Sequence, residues 1–133
     1  MRSRPLVVAL AAASLTVGGC SSARDSGLAI TPQPAAADAS TALGVIDALD
    51  RAGFAVPNPL DTTKQVCPRL GCLQSIVSDT VRISSFPTSA QAHRSMLPGA
   101  DSQVGRFVVR FAPPMSEERK AQYWSKIRTM VGA

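Results

Sequence analysis

Cys67 and Cys72 are separated by four residues in the run Asp61 to Cys72, DTTKQVCPRLGC. Paired thiols at this distance can serve as a redox couple, as two ligands of a metal, or as a structural bridge. Redox catalysis normally uses a two-residue spacing, which lets one thiol activate the other at a helix start. Here Pro68 and Gly71 fall among four intervening residues. Two sulfurs and the one histidine, His93, fall short of the four ligands of a tetrahedral zinc site. His93 also lacks the company that catalysis needs: a nucleophile requires a base, and the base an orienting acid. The chain contains no G-x-S-x-G elbow, and Ser95, two residues beyond His93, falls on another face of a helix. Glu117 and Glu118 suit the positive end of a helix dipole better than an acid and base pair. No glycine-rich run could cradle a phosphate. The expectation is a protein that is not an enzyme and uses no cofactor.

The arrangement with most chemical content is basic. If Val81 and Ile83 face a core, Arg82 points to the other side of its strand, and if Phe107, Val109 and Phe111 face the core, Arg106 and Arg110 do the same. Three arginines would then share the outer sheet face, with Arg106 and Arg110 about 13 Å apart. Such a face could meet anionic lipid heads or acidic polymers. Val104 and Val108 on the same side dilute its charge, so a solvated sheet surface is the plainer reading. Tyr123 and Trp124 could wall a ligand, although helical spacing places them more naturally in a core.

These residues need elements to hold them. Ser40 or Thr41 caps a helix along which Ala42, Val45, Ile46, Leu49 and Ala52 form one face, with Gly53 as its left-handed stop and Phe54 packing back on Leu49. Ala55-Val56 reads as a short strand, ended by Pro57-Asn58-Pro59. The cysteine segment has neither helical nor strand period and reads as a loop. Leu73 to Phe86 is the most strand-like stretch, either one strand or a hairpin through Ser78-Asp79. Thr88 and Gln91 open a second helix that Pro98-Gly99 stops. Ser102 to Ala112 reads as the next strand, and Ser116 caps a closing helix lined by Ala121, Trp124, Ile127 and Val131, with Tyr123 and Met130 beside them. Three helices cover one sheet face economically, so the expected fold is a small two-layer α+β domain of about three strands and three helices.

The chain begins MRSRPLVVALAAASLTVGGC, with Arg2 and Arg4 before a twelve-residue apolar run, Leu6 to Val17, and a small-residue exit. That is the pattern of a secretory signal, too short for the roughly 20 apolar residues that span a bilayer. Val17-Gly18-Gly19-Cys20 resembles the lipobox of bacterial lipoproteins. The resemblance implies residues 1–19 as a cleaved lipoprotein signal peptide, Cys20 as the lipidated first residue, and an extracytoplasmic protein held to the cell membrane by acyl chains. With Cys20 acylated, Cys67 and Cys72 are the remaining thiols, and an even count outside the cell implies a disulfide, worth about 2 kcal/mol for so short a loop. Residues 20–39, rich in Ser, Ala and Pro, read as a flexible tether, and 40–133 as the folded domain.

Removing 19 of 133 residues leaves 114, one domain at most, with 12 basic against 9 acidic side chains. Export and so small an excess argue against nucleic acid as a partner. Together with AGFAVPNPLDTT, CPRLGC and FAPP, the pattern resembles small lipoproteins of mycobacteria and related actinobacteria, a likeness that implies an anchor and a compartment but no activity. The expected role is a membrane-anchored binding or interaction module that meets an envelope protein or an anionic envelope component. The alternative is a carrier or sensor of a small amphiphilic or anionic ligand.

Overall fold

The computed structural model of the chain describes residues 38–132; the signal peptide, Cys20 and nearly all of the tether lie outside them. Helix α1 (Ala42–Arg51) begins where the Thr41 hydroxyl accepts the Gly44 N–H at 3.0 Å. It ends at Gly53, whose φ of 82° frees the Phe54 N–H to reach the Leu49 carbonyl and its own N–H to reach Asp50. This double closure satisfies carbonyls that the last helical turn would otherwise leave open. Residues 54–57 form no strand; the first strand is instead β1 (Leu60–Asp61). The cysteine segment is also more ordered than its lack of period implies. It forms α2 (Thr63–Leu70), opened by Asp61 accepting the Thr63 N–H and closed by Gly71 in the left-handed region at φ 75°. Cys67 in its last turn is bonded to Cys72, with Cα atoms 4.6 Å apart.

Leu73 to Phe86 is a hairpin, β2 (Gln74–Val77) and β3 (Val81–Ser85). Its turn is held by Ser78 Oγ, which accepts from Thr80 and Val81 N–H groups and donates to the Val81 carbonyl. Next comes α3 (Ser89–Ser95), capped by Thr88, whose hydroxyl accepts the Gln91 N–H. The stretch expected as a single strand divides at Gly105 into β4 (Asp101–Val104) and β5 (Phe107–Phe111). Gly105, at φ 53°, supplies the left-handed turn residue that a two-residue hairpin loop demands. Helix α4 (Glu117–Val131) closes the domain from its Ser116 cap. Its inward side is centred on Tyr123 and Ile127, both buried, while Ala121 is exposed and Trp124 half-buried.

The strands form one antiparallel sheet in the order β1-β2-β3-β5-β4. The fold is therefore α+β, with five strands and four helices among the described residues where about three of each were expected. Neither is it two-layered. One face, carrying Ile76, Val81, Ile83, Phe107 and Val109, packs against α1 and α4 in the main core. The opposite face is covered by α2 and α3, with a minor core of Phe86, Ala92 and Val108. These two helices have eight and seven residues. They are too short to hide the whole face, and a cleft remains between them. The described strands, helices and core residues lie in the compact unit Pro32–Ala133, and the domain they form carries its own core.

Candidate functional site

Cross-strand register places the arginines. In the row that crosses the α2/α3 face of the sheet, Val77 lies opposite Arg82, Arg82 opposite Arg110, and Arg110 opposite Asp101. Directly opposed side chains have Cβ atoms about 5 Å apart, where like charges repel. Asp101 offsets part of that repulsion. Its carboxylate, 1% exposed, takes Arg110 Nε at 2.6 Å and Nη2 at 3.0 Å in a two-pronged pair, and the Leu97 N–H at 2.7 Å. Burial raises the Asp101 pKa, but the bonds from Arg110 and Leu97 and the charges of Arg110 and Arg82 outweigh it and hold the group below the ordinary carboxylate value. Arg110 is correspondingly raised by its bond to Asp101.

Arg82 has no such partner. Its Nε is buried and makes no hydrogen bond among the described residues. A buried donor left unmade costs about 1–3 kcal/mol, more when the group is charged. Both arginines line a cleft of about 240 Å³ whose floor is completed by Ser84 and Val108. One wall is the last turn of α2, with Arg69 and Leu70; the other is the segment after α3, with Leu97. Three arginines against Asp101 leave two positive charges in excess around this space.

The floor is held by hydroxyls. Ser84 Oγ donates to Ser75 Oγ at 3.1 Å, and Thr62, just before α2, donates to the Ser75 carbonyl at 3.1 Å. Ser75 N–H in turn donates to Thr63 Oγ1. These bonds fasten the start of α2 to the sheet, while the Cys67–Cys72 bridge fastens its end, where Cys72 packs against the Phe86 cluster. The opposite wall is set by Asp101, which accepts from the Leu97 N–H and donates its own N–H to the Leu97 carbonyl at 3.1 Å.

Arg106 does not join this group. It lies in the β4–β5 turn, where strand alternation no longer applies, and its guanidinium donates to the Ser40 carbonyl and lies 5.6 Å from the centre of the Phe107 ring. Arg106 thus clips the entry to α1 at one edge of the domain. The expected three-arginine face reduces to Arg82 and Arg110, and it is a partly roofed cleft instead of an open surface. Arg69, Asp101 and the serine floor escaped the sequence reading. The signal for Arg69 was its place two residues beyond Cys67, and for Asp101 its place just after Pro98-Gly99.

The remaining candidates have structural occupations. His93 is exposed, with Nδ1 3.2 Å from Gln103 Oε1. Glu117 and Glu118 begin α4, where Glu117 pairs with Lys120 at 2.7 Å. Tyr123 donates its hydroxyl to the Ala55 carbonyl at 2.7 Å and meets Phe54 edge to face. Trp124 lines a wider, more open groove of about 600 Å³ along the start of α4, whose charges, Asp101 with Arg110 and Glu117 with Lys120, are already paired. Among the described residues, no three His, Cys, Asp or Glu side chains are grouped to hold a metal ion, and no helix is long and apolar enough to cross a membrane. Compared with known proteins, the chain matches no family model, no curated protein and no solved structure.

Proposed function

We propose that this is a non-catalytic binding module of the cell envelope, lipid-anchored through Cys20 on the extracytoplasmic side, whose cleft between α2 and α3 takes a small anionic ligand. The anchor and compartment rest on the lipobox-like exit of the first twenty residues. The Cys67–Cys72 bridge agrees with an oxidising compartment. The observation that carries the binding site is Arg82, which lines a cleft with excess positive charge while its buried Nε lacks a hydrogen-bond partner among the described residues. An arginine presents its donors as a planar fork suited to a carboxylate or phosphate. An anion there would complete the bonding of Arg82 and relieve its repulsion with Arg110 in the same step.

The test is calorimetric titration of Pro32–Ala133 with inorganic phosphate, beside Arg82→Gln. A charge-assisted bond contributes about 1.5–3 kcal/mol, so the variant is expected to bind phosphate about tenfold to a hundredfold more weakly, with an unfolding midpoint no lower than that of the parent. Equal affinity in the two proteins would reject the site.

A further inference from the structure

Resting on that reading, we infer that the ligand is a single-chain anionic amphiphile: one compact anionic head on an alkyl chain. The floor and the rim of the cleft differ in chemistry. The floor offers the guanidinium of Arg82, whose Nε has no hydrogen-bond partner among the described residues, beside that of Arg110. The rim offers Leu70 and Leu97, which line the cleft from α2 and from the segment after α3 and are 44% and 53% exposed. With Phe86 and Val108 also in its lining, the cleft pairs apolar surface with its basic floor. Val66, further up α2, extends the apolar wall toward the floor.

The volume sets the division of the ligand. About 240 Å³ corresponds to roughly eight waters at 30 Å³ each, room for a phosphate or carboxylate head and the first few methylenes. A longer chain must leave the cleft, and the exit lies between Leu70 and Leu97. Asp101 sharpens the selection at the head. Being buried and committed to Arg110, it repels a second negative charge on that side while leaving Arg82 open to the first.

The probes are decyl phosphate below its micelle concentration, inorganic phosphate, decyltrimethylammonium and phosphatidylglycerol vesicles, each titrated into Pro32–Ala133. Decyl phosphate is expected to bind one to one and at least tenfold more tightly than phosphate, with no binding of the cation. Leu70→Ser combined with Leu97→Ser is expected to weaken decyl phosphate about tenfold more than it weakens phosphate; both side chains are exposed, so folding is spared. Arg82→Gln is expected to weaken both anions. Equal affinity for phosphate and decyl phosphate would overturn the amphiphile and leave the anion site standing. Indifference of both anions to Arg82→Gln would remove the two together. Binding to vesicles without binding of the monomeric amphiphile would also overturn the inference, since the head would then belong to a membrane surface.

Discussion

Asp101 is the residue on which the cleft turns. It fixes Arg110 by two bonds and the Leu97 wall by a third, and its depressed pKa is the electrostatic consequence. Because the folded value lies below the unfolded one, its contribution to stability is fully present above the ordinary carboxylate pKa of about 4 and is lost as pH falls through the folded value. Asp101→Asn keeps the shape and removes the charge. It is expected to destabilise the protein by about 1–3 kcal/mol at pH 7, a gap that narrows below about pH 4; urea unfolding at both pH values measures it. Tyr123 makes a second, separate prediction. Tyr123→Phe removes only the bond to the Ala55 carbonyl, so a loss of about 1 kcal/mol is expected in the same measurement, with phosphate affinity unchanged because α4 lies on the other face of the sheet.

Among the elements, α2 is the most exposed to single changes. It has eight residues and a proline inside it, and its one buried side chain is Cys67. A helix this short draws its order from what holds its ends, here the Thr62, Thr63 and Ser75 bonds and the bridge to Cys72. Cys67→Ser with Cys72→Ser is expected to cost about 2 kcal/mol in the chain-entropy account and to weaken phosphate binding, since Arg69 and Leu70 ride on the freed turn; denaturant unfolding and calorimetry of the double variant check the two parts. The same element shows where the sequence was legible. Helices with strong caps and an apolar face, α1 with its Gly53 closure and α4 with Ser116, read directly. Helix α2 did not, because its order comes from tertiary ties and a crosslink that leave no period. The division of Ser102 to Ala112 into two strands hung on one glycine, Gly105, between two apolar runs that alternate as a single strand would. Arg82 and Arg110 were placed on the correct side by alternation, but that they are direct neighbours depends on register, and their burial depends on helices on the second face. Arg106 was misplaced because alternation was carried through a turn.

At the scale of the whole molecule, the two sheet faces differ in how much core they carry. The α1/α4 side holds the larger core, with Val45, Ile46, Leu49, Ile83, Val109 and Ile127 fully or almost fully buried. The α2/α3 side holds a small cluster and the cleft, so the proposed binding falls on the face that contributes less to the core. The proposed anchor belongs at this scale too. Protein recovered from the membrane of a bacterial host is expected to have the mass of a chain starting at Cys20 with acyl chains added, and Cys20→Ala is expected to retain its signal peptide; intact-mass spectrometry separates the two. The central claim is that the α2/α3 face is the working surface, and amide chemical-shift mapping of Pro32–Ala133 titrated with decyl phosphate tests it most directly. Saturating shifts are expected at Arg69, Leu70, Arg82, Ser84 and Leu97, with the α4 amides around Trp124 and Ile127 unmoved. Shifts centred on α4, or none at all at saturating probe, would contradict it.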